Sequence, residues 1–239
     1  MADREHVLVV ENEDGAGPEM FQQWLAAAGV AVELCRPYAG EPVPARLEHG
    51  GVMVLGGEMG ACEDDRAPWL VPVRQLLAEA THNGLPVLGI CLGAQMLATA
   101  CGGRVEASRS GGELGLGQIE LTDKAGGDRL FAGIVSPAEV VQWHNDEITE
   151  LPDGAIVLAS SAACRVQAFR VGVRAWGVQF HPEVTSAVLR GWADAGGQMT
   201  SGRRRRLDSV IAEVAVAESR LFSCWQGFAE RFAAVVKQP

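Results

Sequence analysis

The stretch LPVLGICLGAQ, residues 85–95, joins an apolar run to a helix-like segment through a cysteine that lies between two glycines. The apolar part is typical of a buried strand, and the periodicity that follows is typical of a helix. One interpretation is a nucleophile elbow, a sharp strand-to-helix turn that exposes Cys91 and tolerates only small neighbours. The helix N-terminus would favour the Cys91 thiolate, and the Leu92 N–H would bind an oxyanion. The other interpretation is a buried structural cysteine beside a packing turn, and the stretch alone leaves both open.

Around this stretch, the first hundred residues alternate between short apolar runs and helical patterns. Strands are predicted at 6–11, 30–37, 50–57 and 85–91, and helices at 18–29, 67–84 and 92–102. This alternation predicts an α/β fold with a largely parallel sheet and helices on both faces. Ligands bind such sheets outside the carboxyl ends of the strands, and Gly56, Gly57 and Cys91 all fall at such ends.

The pattern changes after Gly103. Five short runs separated by turn residues are typical of antiparallel strands, so the sheet is predicted to be mixed. The runs are GQIELT, VVQWHND, AIVLASS, CRVQAFRV and RAWGVQF. From Leu207 onward, apolar residues recur every three or four positions, which predicts one or two C-terminal helices packed on the core. The run GRRRR, residues 202–206, is predicted as a solvated loop before them, with a contact to a phosphate or a partner as the alternative.

No segment has the composition of a linker. Residues 1–239 are therefore predicted to form a single domain, with a C-terminal helical extension at about 185–239.

Composition excludes several classes of partner. The chain carries 20 Lys and Arg against 30 Asp and Glu, a net charge of -10, which argues against binding to nucleic acid or an anionic membrane. The N-terminus lacks a secretory signal and no apolar run would span a membrane, so a cytoplasmic location is predicted. The six cysteines follow no disulfide or metal-ligand spacing, so reduced thiols and no metal or other cofactor are predicted.

A base for Cys91 is offered by WGVQFHPEV, residues 176–184. Pro182 favours an extended His181, and residues two apart on an extended chain point the same way. The Glu183 carboxylate would then fix one imidazole tautomer while the other ring nitrogen faces the thiol. The alternative interpretation is a strand-terminal His-Pro turn with a solvated glutamate.

Three blocks in order, LGGEMG at 55–60, GICLGAQ at 89–95 and GVQFHPE at 177–183, together resemble the class I (triad) glutamine amidotransferases. The resemblance covers roughly residues 7–184 and implies a flavodoxin-like three-layer fold. It also implies a Cys-His-Glu triad and an oxyanion hole to which the Gly-Gly turn contributes, beside the elbow's own N–H.

The resemblance also implies which residues form the active site and its substrate pocket. The catalytic residues are Cys91, His181 and Glu183, the oxyanion donors are Gly57 and Leu92, and the substrate-binding residues are Gly56, Gln95, His144 and Asp146. The last two belong to WHND, which is similar to the WHGD or SHGD segment that contacts the α-amino end of glutamine in GMP-synthase-like members. Asn145 replaces the usual glycine, and asparagine is the residue next most tolerant of a left-handed backbone.

The activity that the resemblance implies is cleavage of the γ-amide of glutamine through a Cys91 thioester, without a cofactor. RSGGELG, residues 109–115, lacks the Asp-Ser of an SGGxDS pyrophosphate loop and is predicted as a turn with Glu113 near the pocket. ATP use is therefore not expected, and a separate synthetase partner is predicted to receive the ammonia. Two alternatives stay open: a free-standing γ-glutamyl hydrolase acting on a γ-glutamyl amine or peptide, and a catalytically silent binding module, which an intact triad disfavours.

Overall fold

The computed structural model describes residues 3–109, 111–195, 197 and 199–238. The strands in these ranges are β1 (Asp3–Val10), β2 (Ala31–Cys35), β3 (His49–Val54), β4 (Val87–Ile90), β5 (Arg104–Ala107), β6 (Glu113–Leu121), β7 (Ala138–His144), β8 (Asp146–Glu150), β9 (Ile156–Ser160), β10 (Ala168–Val171) and β11 (Ala175–Val178). The helices are α1 (Glu19–Ala27), α2 (Leu70–His82), α3 (Leu92–Ala100), α4 (Ser186–Ala195) and α5 (Ser201–Val236). Short 3-10 helices occupy Pro37–Ala39 and Ala125–Gly127.

Nine strands form one mixed sheet in the order β2-β1-β3-β4-β11-β10-β9-β6-β7. Neighbouring strands are parallel from β2 to β11 and antiparallel from β11 to β7, while β5 and β8 form a separate antiparallel pair. The prediction of antiparallel pairing for RAWGVQF is only half right, because β11 is antiparallel to β10 but parallel to β4. Local patterning does not reveal which distant strand will lie beside a given strand.

The sheet is the middle layer of three. Val7 and Val9 on one face of β1 belong to a core shared with α1 and α5, whereas Leu8 and Val10 on the other face belong to a core shared with α2 and α3. This alternation is the period of two expected for a strand buried on both faces. The predicted mixed α/β fold with helices on both faces is confirmed.

The last helix, α5, begins earlier than the sequence predicted. The Thr200 hydroxyl accepts a hydrogen bond from the Arg203 N–H and caps a single helix that starts at Ser201. The prediction of a loop at Arg203–Arg206 is therefore wrong, because the four arginines form the first turns of α5. Arginine is a good helix former, but the apolar periodicity on which the prediction rested starts only at Leu207.

Helix α5 is 36 residues long. Neither α5 nor any other helix in the described ranges is both long and apolar enough to cross a membrane.

The two glycines that flank Cys91 are required by the close packing of β3, β4 and α3. A Cβ atom on Gly89 would lie 2.4 Å from the Gly93 carbonyl oxygen, and one on Gly93 would lie 2.0 Å from the Val54 carbonyl oxygen. Both obstacles are backbone atoms, which cannot move aside without distorting the sheet. The spacing of the elbow motif thus follows from packing around the turn.

Replacing Gly93 by alanine is expected to lower the free energy of unfolding by about 3 kcal/mol or more, because the new methyl group overlaps backbone in a packed core. Gly126→Ala is the matched control, since a Cβ atom there meets nothing within 4 Å. Chemical denaturation of both variants measures the effect. Similar stability of the two variants would contradict the packing argument.

Candidate active site

Cys91 lies between the last residue of β4 and the first residue of α3, in a strained backbone conformation. Its φ is 51° and its ψ is -109°, which is a region that side-chain-bearing residues rarely occupy. Such strain costs on the order of 1–3 kcal/mol and is typical of functional sites. The turn is held by a hydrogen bond from the Cys91 N–H to the Val178 carbonyl oxygen at 2.8 Å, and by one from the Gln95 N–H to the Cys91 carbonyl oxygen at 3.1 Å.

His181 and Glu183 form a buried pair beside Cys91, in the chain that follows β11. His181 Nδ1 lies 2.7 Å from Glu183 Oε1, and both side chains are 3% exposed. The His181 N–H donates to the Val141 carbonyl oxygen at 2.8 Å, which fixes this segment against β7. Because Nδ1 faces the carboxylate, Nε2 is the ring nitrogen left to hydrogen-bond the Cys91 side chain.

The protonation of His181 is set by its two neighbours. Burial lowers the pKa of His181, but the electrostatic interactions with Glu183 and Cys91, with hydrogen bonds to both, raise the pKa from 6.5 to about 10. The ring is therefore an imidazolium at neutral pH. It holds a proton next to the sulfur atom, at a point from which the proton can pass to a bound ligand.

Gly56 and Gly57 lie at the carboxyl end of β3, next to the elbow. A Cβ atom on Gly56 would lie 3.1 Å from His181 Cε1 and 3.7 Å from Cys91 Cβ, and one on Gly57 would lie 3.1 Å from Leu92 Cδ2. Within the described residues, the backbone N–H groups of Gly57 and Leu92 have no hydrogen-bond partner. Two unpaired donors beside a nucleophilic side chain are the arrangement that an oxyanion requires.

The structure brings Gln95, His144 and Asp146 to the same cleft as Cys91, but with different tasks. Gln95 Nε2 donates to the Asp146 carbonyl oxygen at 3.3 Å, and His144 Nδ1 lies 2.9 Å from the same oxygen. Gln95 and His144 therefore support the β7–β8 turn from behind. The Asp146 carboxylate has no hydrogen-bond partner among the described residues, which leaves it available to a ligand.

Gln179 is a site residue that the sequence analysis did not single out, although it lies inside the GVQFHPE block. Its side chain is buried, and its Nε2 donates to Cys91 Sγ at 3.7 Å. Its Oε1 accepts a hydrogen bond from Gln95 Nε2 at 3.1 Å. Gln179 thus links the sulfur atom to the residue that supports the β7–β8 turn.

Glu113 anchors the other side of His144. Its carboxylate accepts hydrogen bonds from Ser161 Oγ at 2.9 Å and from Gln167 Nε2, and lies 3.3 Å from His144 Nε2. Burial raises the pKa of Glu113, but its hydrogen bonds and its electrostatic interaction with His144 outweigh burial and bring the pKa below its usual 4.5. Sequence reasoning placed Glu113 near the pocket, but Ser161 and Gln167 gave no signal because they come from distant loops.

The prediction of a turn for RSGGELG is only partly right, because its last three residues, Glu113, Leu114 and Gly115, already belong to β6. Gly111 and Gly112 have φ values of 87° and 79°, which suit glycine, while Ser110 lies outside the described residues. In the ranges that the structure describes, no group of three or more His, Cys, Asp or Glu side chains would hold a metal ion.

The cleft above Cys91 has a volume of about 720 Å³, and α4 and α5 form one of its walls. The ring of Trp192 in α4 meets the His181 ring edge-on at 5.0 Å between centroids. Trp192 Nε1 also donates to the Gly15 carbonyl oxygen at 2.8 Å. Arg203 and Arg206 in α5 line the same wall. None of these three was predicted as a site residue, because nothing local in the sequence shows that α4 and α5 return to the cleft.

Comparisons with known proteins agree with this architecture. The family described as Glutamine amidotransferase class-I matches residues 9–190. A relative from Methanopyrus kandleri, named as a glutamine-hydrolyzing GMP synthase subunit, is 33% identical over 181 residues, which cover 74% of this chain and 89% of the relative. Gamma-glutamyl peptidase 3 from Arabidopsis thaliana is 31% identical over 147 residues, which cover 59% of this chain and 57% of the relative.

Among solved structures, a glutamine amidotransferase from Thermotoga maritima superposes with a TM-score of 0.86 at 27% identity, covering 96% of this chain and 98% of that chain. The likeness thus extends through α4 and α5, beyond the residues that the family description matches. This chain belongs to the class-I glutamine amidotransferase family.

Proposed function

We propose that this protein hydrolyses the γ-amide bond of glutamine or of another γ-glutamyl compound through a thioester on Cys91. The observation that carries the proposal is the alignment of Cys91, His181 and Glu183 next to two unpaired backbone N–H groups. A nucleophile, a proton donor, an orienting carboxylate and an oxyanion site are the parts that acyl transfer requires.

In the first step, the Cys91 sulfur attacks the side-chain amide carbon of the substrate. The N–H groups of Gly57 and Leu92 stabilise the oxyanion that develops on the former carbonyl oxygen. The His181 imidazolium gives its proton to the amide nitrogen, the C–N bond breaks, and ammonia or an amine leaves. A γ-glutamyl thioester remains on Cys91, and His181 is neutral.

In the second step, neutral His181 takes a proton from a water molecule whose oxygen attacks the thioester carbon. The same two N–H groups bind the oxyanion again. The C–S bond breaks, glutamate leaves, and the Cys91 thiolate faces the restored imidazolium. Throughout both steps, the Glu183 carboxylate orients the ring and stabilises its positive form.

Glutamine is the first substrate candidate. It is supported by the likeness to the relative from Methanopyrus kandleri, whose name describes it as glutamine-hydrolyzing. With glutamine as the substrate, the products are glutamate and ammonia. The ammonia would pass to a separate acceptor enzyme, because the sequence carries neither an SGGxDS pyrophosphate loop nor a GxxxxGKS or GxxxxGKT phosphate-binding loop.

A γ-glutamyl amine or peptide is the second candidate, and the volume of the cleft is large enough for it. A cleft of about 720 Å³ is within the range of about 300–1,000 Å³ that accommodates whole drug-sized ligands. The leaving group of glutamine is only ammonia, which is too small to contact the wall formed by α4 and α5. A likeness to a protein named gamma-glutamyl peptidase is consistent with a larger leaving group.

The proposal is tested by measuring glutamate release from glutamine and from a panel of γ-glutamyl amines and peptides. Acid quenching during turnover, followed by mass spectrometry, is expected to find a glutamyl adduct on Cys91. The exposed Cys62 is the internal control and is expected to carry none. If no compound is hydrolysed, and an electrophilic glutamine analogue labels Cys62 but spares Cys91, the protein is a silent module and the proposal is wrong.

A further inference from the structure

We propose that α4 and α5 form a subsite for the leaving group, in which Arg203 and Arg206 bind the carboxylate of a departing amino acid. The preferred substrates are then γ-glutamyl dipeptides whose second residue is apolar. This inference rests on the proposed γ-glutamyl hydrolysis and names the substrate class for it.

The position of His181 gives the direction of the leaving group. The imidazolium must reach the amide nitrogen, so any substituent on that nitrogen extends from the His181 side of the reacting carbon. The Trp192 ring lies next to the His181 ring, with 5.0 Å between the ring centroids, so the wall formed by α4 and α5 adjoins the proposed proton donor. The substituent therefore extends toward the wall formed by α4 and α5. The β7–β8 turn, with the free Asp146 carboxylate, is left for the glutamyl half and suits its α-ammonium group.

The chemistry of this wall matches an apolar amino acid. Its lining combines apolar side chains with two guanidinium groups, namely Val188, Trp192, Met199 and Leu207 with Arg203 and Arg206. An aromatic or aliphatic side chain would pack against the first group, and a terminal carboxylate would meet the second. An amine without a carboxylate would use only the apolar part.

The four arginines at the start of α5 differ in what they contact. Arg203 and Arg206 are three residues apart and thus share one helix face, and both line the cleft. Neither forms an ion pair with a described carboxylate, whereas Arg204 pairs with Asp194 at 2.6 Å. Arg203, Arg205 and Arg206 are all exposed, but Arg205 does not line the cleft. A planar guanidinium binds a carboxylate through two parallel hydrogen bonds, so this pair is suited to that group.

The other charges in the cleft restrict where an anion would bind. The carboxylates lining it are Glu13, Asp14, Glu58, Glu113 and Asp146. These groups repel a second carboxylate from the rest of the cleft and so direct it to the two arginines. The alternative ligand for the two arginines is the glutamyl α-carboxylate, and a pair of ligands that differ only in the leaving group distinguishes the two cases.

Calorimetry on the Cys91→Ala variant provides this test, because the variant binds ligands without cleaving them. The two ligands are γ-glutamyl-phenylalanine and γ-glutamyl-phenethylamine, which differ only in the carboxylate of the leaving group. We expect γ-glutamyl-phenylalanine to bind about 10-fold more tightly, and we expect the preference to vanish when Arg203→Gln and Arg206→Gln are added. Arg205→Gln in the same background is the matched control and should retain the preference.

The inference is overturned if the two ligands bind equally well, if neither binds, or if Arg205→Gln abolishes the preference as fully as the double substitution does. It is also overturned if Arg203→Gln with Arg206→Gln weakens both ligands alike, since the arginines would then hold the glutamyl half. Thermal melting of each variant shows that it is folded. Failure of the proposed hydrolysis is a separate result, because it is measured as missing glutamate release by the unsubstituted protein.

Discussion

Replacing Cys91 by alanine is expected to reduce glutamate release by about 10,000-fold or more, whichever γ-glutamyl compound proves to be the best substrate. In the proposed mechanism, the sulfur forms the bond that splits hydrolysis into two easier steps, and the other catalytic groups act on that bond. Removing one member of such a triad typically costs this much, because the oxyanion donors and the binding cleft then act alone. Steady-state rates of the purified variant and the unsubstituted protein measure the loss.

Two companion variants show that the loss reflects chemistry and not folding. Cys62→Ala removes an exposed thiol outside the cleft and should leave the rate unchanged. Cys91→Gly should be as inactive as Cys91→Ala but should unfold at a higher temperature, because glycine adopts a φ of 51° and a ψ of -109° without strain. A Cys91→Ala variant that retains a tenth of the activity would contradict the thioester mechanism.

The parts of the site that the sequence predicted are those determined within a few neighbouring residues. The glycines around Cys91 mark the elbow because β3, β4 and α3 leave no room for a Cβ atom. The contact between His181 and Glu183 was predictable because the two residues are only two positions apart, although the chain bends at Pro182 and Glu183 instead of running extended. Family resemblance then placed Gly56 and Gly57 next to this pair. Their catalytic roles stay predictions until they are measured.

The parts that the sequence missed depend on contacts between distant segments. Gln179 touches Cys91 across the sheet, and Trp192 reaches His181 because α4 folds back over the cleft. The arginines at Arg203–Arg206 were assigned to a loop because periodicity detects apolar faces, whereas the start of α5 is polar. A single domain over residues 1–239 stays a prediction.

Replacing Glu183 by glutamine is expected to lower turnover by about 100- to 10,000-fold, which is the usual contribution of general acid–base catalysis. Glutamine retains an oxygen that can accept the hydrogen bond from His181 Nδ1, so the ring can keep its orientation. What the substitution removes is the negative charge, which is the largest of the effects that raise the pKa of His181 to about 10. The pKa of His181 in the variant should therefore fall toward 6.5, and the alkaline limb of the pH–rate profile should move to lower pH.

Glu58→Gln is the matched control, because it removes an exposed carboxylate from the same cleft.

The negative charge of Glu183 also makes the stability of the protein depend on pH, because it raises the pKa of His181 in the folded state. A pKa raised from 6.5 to about 10 on folding stabilises the protein fully below pH 6.5, and this stabilisation is lost as pH rises through 10. In Glu183→Gln the contribution should largely disappear, so the free energies of unfolding of the two proteins should differ most below pH 6.5 and converge toward pH 10. An unchanged alkaline limb together with a constant difference in stability would mean that Glu183 acts only by holding the ring in place. If the pH–rate profile and the pH dependence of stability both change, the negative charge of Glu183 is what keeps on His181 the proton that the mechanism passes to the leaving nitrogen.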